Sequence, residues 1–240
     1  MSELPETRHE AENAPPNSHP FRVAVIFSLV MILGTIAAAI WAYQKLPADA
    51  LVPTHWNAAG QIDGRAGRSS LFLMPGVLLG MTLLLFALPY IEPRRGNLLR
   101  SSRAYCAVWM SVIAFLTSMQ GAIVATALGR NVSMNMLACG GVGAMFLVIG
   151  NFMGKVRSNY IFGVRTPWTL ASELSWNKTH RLAGRLFVAC GALLIVAALT
   201  GISGTLLVSI LLATVATVVI VPATYSYFVW RSDPQKATNG

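Results

Sequence analysis

The residues with the most chemistry to offer lie in one connector, residues 154–185, which contains N-Y-I-F-G-V-R-T-P-W-T-L-A-S-E-L-S-W-N-K-T-H-R-L-A-G. His180 is the side chain there that titrates nearest neutrality, so it could serve as a proton switch, or as the base of an enzyme working at a membrane face. A hydrogen bond within the connector accounts for it more simply. No serine or cysteine stands with a recognisable base and orienting acid, and no phosphate-cradling glycine loop is present, so the sequence offers no catalytic or cofactor-binding constellation. A second connector, residues 45–70, carries His55 and Asp63. Two ligands fall short of the four that a structural zinc site needs, and a hydrogen-bonded turn explains the pair without a metal. Cys106, Cys139 and Cys190 form no C-x-x-C pair and read as buried small hydrophobes.

The elements that must position these connectors are set by composition. Hydrophobic residues make up 55% of the 240 and charged residues 11%, against roughly 25% charged in an average soluble domain. So little charge cannot coat a water-facing surface, and lipid is the natural solvent for such a chain. Six stretches approach the ~20 apolar residues needed to cross hydrocarbon: 23–43, 71–91, 105–128, 134–153, 186–202 and 206–230. The net charge of +9 does not imply nucleic-acid binding, because the cations fall in short blocks between the apolar runs and no groove-reading or stacking module accompanies them.

Lys and Arg in short loops remain on the cytoplasmic side. In a six-span layout that side receives fourteen of the 18 cations, among them Arg94, Arg95, Arg100, Arg103, Lys155, Arg157, Arg165, Lys178, Arg181 and Arg185, and the other side four: Lys45, Arg65, Arg68 and Arg130. The expectation is an all-α polytopic protein of the plasma membrane with both termini cytoplasmic. Ala37, Ala38 and Ala39 imitate a signal-peptide cleavage site, but Glu3, Glu6, Glu10 and Glu12 make a poor positively charged leader. Residues 1–20 are too polar to fold alone and are expected to form a disordered tail.

Within the spans, no ionisable side chain falls in mid-membrane, which weighs against a proton-coupled pump and an intramembrane acid–base enzyme. Gly76 with Gly80, and Gly150 with Gly154, form G-x-x-x-G pairs, and Gly140, Gly141 and Gly143 widen the second surface. Close packing of helices within the chain is expected to use them, rather than a dimer seam. Gln120, with Ser111, Thr117 and Ser118, gives the third span a polar side that should face the bundle interior. The last two spans should form a helical hairpin across the Gly-rich gap at residues 201–205.

The first outer connector is dense in turn formers and predicts a compact loop, with Trp56 as an interfacial anchor. In the inner connector, Thr166 followed by Pro167 is a helix-start signal. Trp168, Ala171 and Leu174, with Trp176 close behind, predict a short interfacial helix with its tryptophans at headgroup depth. Arg165, Lys178, Arg181 and Arg185 would then face phosphates or an acidic partner.

The inner connector resembles the SdpI family, membrane proteins named for immunity to a secreted toxic peptide. The resemblance rests on Gly150-Asn151, Asn159-Tyr160, then Gly163, Arg165, Thr166, Pro167, Trp168, Thr169 and Leu170, and finally Trp176, Lys178, Thr179, His180, Arg181 and Gly184. The outer connector resembles a separate small domain of unknown function often found ahead of it, through Leu46-Pro47, Pro53, His55, Trp56, Asn57, Gly60 and Asp63. The resemblance implies a six-span plasma-membrane protein that resists a membrane-active toxic peptide or signals its presence, and together with the missing catalytic constellation it makes a non-enzymatic role the expectation. Its implied partners are the lipid bilayer and a toxic peptide or a soluble cytoplasmic regulator. A small transporter or permease is the alternative, motivated by the glycine-rich faces and the polar side of the third span. The expected division is a tail (1–21), two spans with their outer loop (22–92), a four-span SdpI-like region (93–230) and a second tail (231–240).

Overall fold

The computed structural model describes residues 19–234. The expected disordered tail lies outside the described residues, except for His19 and Pro20, which open the first helix. In chain order the elements are α1 (His19–Lys45), β1 (Leu51–Trp56), β2 (Ile62–Gly67), a 3-10 turn (Arg68–Phe72) leading into α2 (Leu73–Ile91), α3 (Arg95–Arg100), α4 (Ser102–Ala127), α5 (Met134–Met153), α6 (Pro167–Ala171), α7 (Glu173–Leu199) and α8 (Gly204–Arg231). Six of the helices are long and apolar enough to cross a bilayer. Their outward faces carry large apolar side chains such as Leu33, Leu83, Leu193 and Ile220, as surfaces bathed in hydrocarbon should.

The outer connector is compact as expected, but it is built as an antiparallel β-hairpin, a small sheet in an otherwise helical protein. The short helix α3 is also additional. The largest departure is α7, which starts at Glu173 rather than near Leu186. Its buried positions Ser175, Trp176, Thr179, His180, Ala183 and Gly184 recur at helical spacing, and Lys178, Arg181 and Arg185 fall on the exposed side. The charges that make this stretch read as a loop are one face of an amphipathic first half-helix. Trp176, expected at headgroup depth beside Trp168, is therefore wholly buried.

The helices pack as α1, α2 and α4 on one side and α5, α7 and α8 on the other, joined where α4 meets α5. On α1 the buried stripe is Ala24, Ser28, Ile32, Thr35, Ala39 and Ala42, mostly small residues that let helices approach closely. Trp109 of α4 donates its indole N–H to Ser28 Oγ at 2.9 Å, where an unpaired donor would cost several kcal/mol in the absence of water. Pro89 in α2 has no N–H for the carbonyl one turn earlier, at Leu85. The Tyr105 hydroxyl donates to that carbonyl at 2.6 Å. Gln120 is buried, as expected, and donates to Leu71 O at 3.0 Å. Ser111 and Ser118 instead return their hydroxyls to carbonyls of their own helix.

The closest helix contact is between α5 and α7, and glycine makes it possible. A Cβ placed on Gly143 would lie 2.8 Å from the Gly191 carbonyl oxygen, and one on Gly150 would lie 2.7 Å from that of Gly184. The reciprocal positions are equally tight: 2.6 Å from Gly191 to Gly143 O and 2.9 Å from Gly184 to Gly150 O. The seam thus uses glycines seven apart on each helix, not the Gly150–Gly154 pair. Gly76 and Gly80, expected to pack within the chain, face outward, and a Cβ at either would have nothing within 4 Å. The hairpin between α7 and α8 is present, with its turn at Gly201 (φ 68°).

These contacts separate the two glycine pairs by experiment. Gly191→Leu should destabilise the purified protein by about 3 kcal/mol, the upper part of the range for overpacking. Gly80→Leu should stay within about 0.5 kcal/mol of the parent. Thermal or denaturant unfolding in detergent measures both.

Candidate functional site

The connector after α5 has no regular backbone pairing, so side chains must satisfy its amides. Asn159, fully buried, accepts the N–H groups of Ile161 (3.0 Å) and Phe162 (2.7 Å) on Oδ1 and donates Nδ2 to Arg157 O (2.8 Å). Asparagine suits the position because one short side chain carries both donor and acceptor. Glu92, just past α2, is 4% exposed. Its carboxylate accepts the N–H groups of Arg94 at 2.8 Å and Tyr160 at 3.1 Å. Arg94 donates to Ser158 Oγ at 2.5 Å and lies over the Tyr160 ring, 4.7 Å from its centroid. Asn97 of α3 donates to Ser158 O at 2.9 Å. Sequence reasoning does not find Glu92 and Asn97 as site residues, and it finds Arg94 only as a topological charge. The available signal is Glu92 itself, a lone carboxylate at a span end followed by two arginines.

The next layer is aromatic. Trp176 and His180, one turn apart on α7, stack with centroids 4.0 Å apart and planes 20° apart. Trp176 donates its indole N–H to Val156 O at 2.8 Å. His180 Nδ1 lies 2.8 Å from Trp176 O, an acceptor, and Nε2 receives the Val164 N–H at 3.1 Å. The partners fix the tautomer: Nδ1 carries the proton and Nε2 the lone pair. The ring is neutral and 1% exposed, with neither nitrogen free to take a proton from a ligand. It makes the hydrogen bond expected of it, but from inside a helix. Gly163 passes against the Nε2 edge of the ring with φ 111°; any Cβ there would collide with His180 Nε2.

Thr166 and Pro167 begin a helix as expected. Thr166 accepts the Thr169 N–H at 3.2 Å while Thr169 Oγ1 accepts the Thr166 N–H at 2.9 Å, a reciprocal cap. The element, α6, ends at Ala171 and does not reach Leu174 or Trp176. It is pinned to the end of α8: Thr166 Oγ1 lies 2.9 Å from Ser226 Oγ, Ser175 donates to Ser226 O at 2.9 Å, Ser172 bonds Asp233, and Trp168 meets Tyr227 edge-on at 5.2 Å.

The motif residues therefore fall into two sets. Asn159, Thr169, Trp176, Thr179 and His180 are buried, and all of these but Thr179 bond the backbone of the connector. Asn151, Tyr160, Arg165, Pro167, Lys178 and Arg181 are exposed, while Gly163, Thr166 and Trp168 are half-buried between them. Arg165 is braced by donating to Tyr160 O.

The outer motif lies at the opposite end of the bundle, so the two are not brought together. His55 Nδ1 sits 2.5 Å from Asp63 Oδ1 across the hairpin, as the hydrogen-bonded reading expects. No group of three or more metal-ligating residues occurs among the described residues. Asn57 Oδ1 accepts the N–H groups of Ala59 and Gln61, both at 3.0 Å, and Gly60 takes φ 84° to close the turn. Asn135 of α5 donates to Ala58 O at 2.8 Å and fastens the tip. Pro53 is buried and Trp56 half-buried.

Comparison with known proteins bears on both regions. Residues 155–226 match the SdpI/YfhL protein family. The match opens at the connector just described and runs through α6 and α7 into α8, leaving Asn151 just outside it. Residues 30–79 match a domain of unknown function, DUF1648, which spans the outer hairpin. The chain is also similar to the Immunity protein SdpI of Bacillus subtilis (strain 168), 26% identical over 207 residues that cover 85% of this chain and 95% of that one. No solved structure matches it. The chain is a multi-pass membrane protein similar over most of its length to an immunity protein.

Asn159→Ala leaves the Ile161 and Phe162 amides without acceptors, a loss of about 1–3 kcal/mol. The connector should then be cut by protease at residues 155–166 in open membranes, while Tyr160→Phe, which keeps the backbone bonds, should stay resistant. Gel analysis of the fragments decides it.

Proposed function

We propose that this chain is a non-enzymatic immunity-type protein that protects the membrane carrying it from a membrane-active toxic peptide. The supporting observation is that the segment matching the SdpI/YfhL family is also the segment most heavily tied down by side-chain bonds, with Arg165, Lys178 and Arg181 left exposed on it. The buried set holds the connector in one shape, and the exposed set forms the working surface. His180, with both ring nitrogens engaged, acts as a structural clamp rather than a base.

Both termini lie in the cytoplasm on this reading, because the arginine-rich connectors stay inside. That places the working surface where a soluble regulator or the inner leaflet can reach it, and the DUF1648 hairpin outside.

Deletion of the gene should sensitise cells to a membrane-active peptide made by themselves or their neighbours, and the wild-type gene should restore survival. Arg165→Ala should fail to restore it while accumulating normally in the membrane. Equal survival of deletion and parent strains across a panel of such peptides contradicts the proposal. Orientation is read separately, and its background is low because Cys106, Cys139 and Cys190 are buried. In intact cells a membrane-impermeant maleimide should label Ala59→Cys, and should label Arg100→Cys only after permeabilisation.

A further inference from the structure

Where α5 and α7 touch near the arginine-rich end, the glycines of the seam leave a groove on the outside of the bundle. It measures about 580 Å³, and its walls include Asn151, Lys155, Arg181, Arg185, Val188 and Ala189. Its floor is Gly150, Gly154 and Gly184, so no side chain fills it. The polar and apolar walls are segregated along the helix axis. Asn151 sits in the last turn of α5 and Lys155 two residues past its end, across from Arg181 and Arg185 in the first half of α7. Val188 and Ala189 lie one turn further toward the middle of the span.

Three cations thus share one groove without a carboxylate in its wall. None of the three has a carboxylate partner among the described residues. Lys155 rests near the Phe152 ring, 5.5 Å from its centroid, and the Arg181 stem crosses Gly154 at 3.6 Å from where a Cβ would stand. Like charges gathered this closely repel one another until an anion joins them. The occupant must therefore be anionic at the end of the span and apolar toward its centre. Arginine pairs bidentately with phosphate, and basic pockets between membrane helices take anionic headgroups.

We propose that this groove is a headgroup site for an anionic phospholipid, whose phosphate meets Arg181, Arg185 and Lys155 while an acyl chain runs along Val188 and Ala189. The site goes beyond the immunity reading and does not depend on it. A zwitterionic lipid would add an ammonium beside three cations, so net negative charge is what the groove selects.

The test uses the purified full-length protein in a neutral detergent, titrated with phosphatidylglycerol, phosphatidylcholine or inorganic phosphate while its melting temperature is followed. Phosphatidylglycerol should raise it saturably; the other two should not. The double variant R181Q/R185Q should weaken the apparent affinity on the order of thirtyfold, at about fivefold per cation near a membrane surface. R100Q/R103Q removes the same charge from exposed positions outside the groove and should titrate like the parent. Ala189→Trp keeps every charge but fills the groove, and should abolish the shift even if R181Q/R185Q proves too unstable to measure. An equal response to phosphatidylcholine or inorganic phosphate overturns the proposal, as does an equal loss in R100Q/R103Q or an unchanged shift in Ala189→Trp.

Discussion

Gly143 and Gly150 of α5 lie against the carbonyls of Gly191 and Gly184 of α7, with too little room for a methyl group at any of the four, and the arginine-rich end of the molecule is arranged around that contact. In hydrocarbon, association gains little from hiding apolar surface, because lipid is as apolar as leucine; helices hold together by packing density and by the few polar bonds they share. Backbone-to-backbone approach gives the densest packing available. It draws the end of α5 and the beginning of α7 to within one connector of each other. Trp176 and His180 then sit beneath that connector, where Val156 and Val164 can bond to them.

The connector in turn ties the two halves of the bundle together. Trp176 of α7 packs with Ala104 of α4 and with Val156, Phe162 meets Tyr105 of α4 edge-on, and Glu92 and Asn97 reach it from α2 and α3. On the far side Thr166 and Ser175 fasten α6 and α7 to α8. A segment without regular secondary structure thereby touches most of the helices at this end. Its polar groups are answered by side chains rather than by a ladder, which is why so many of its residues are of particular types. The same glycines that allow the seam leave the groove that gathers Arg181, Arg185 and Lys155.

Much of this is legible from the chain alone. All six spans follow from apolar length, because hydrocarbon thickness fixes how many residues a helix needs. The buried Gln120 and the Thr166–Pro167 helix start also follow from local chemistry. The start of α7 does not follow from hydropathy, since Glu173, Lys178, Arg181 and Arg185 lower the average over a stretch whose other face is buried. The signal is periodicity: Ser175 and Trp176, Thr179 and His180, Ala183 and Gly184 recur every fourth residue straight through the charges. Gly76 and Gly80 mislead in the opposite direction, because spacing alone does not say which face of α2 meets a neighbour. Glu92, Asn97 and Ser158 act through folding of distant segments onto one another, and no local pattern marks them. The outer loop's turn formers are visible, but not the strand pairing of Leu51–Trp56 with Ile62–Gly67, which depends on register across the turn.

The coupling between seam and connector is tested most directly by amide hydrogen exchange at Val164, whose N–H is held by His180. In Gly184→Leu the α5–α7 contact must open, and Val164 should lose its protection while the buried turn around Trp109 in α4 keeps its own. Val164 protected as in the parent protein, with Leu in place at residue 184, would contradict the account.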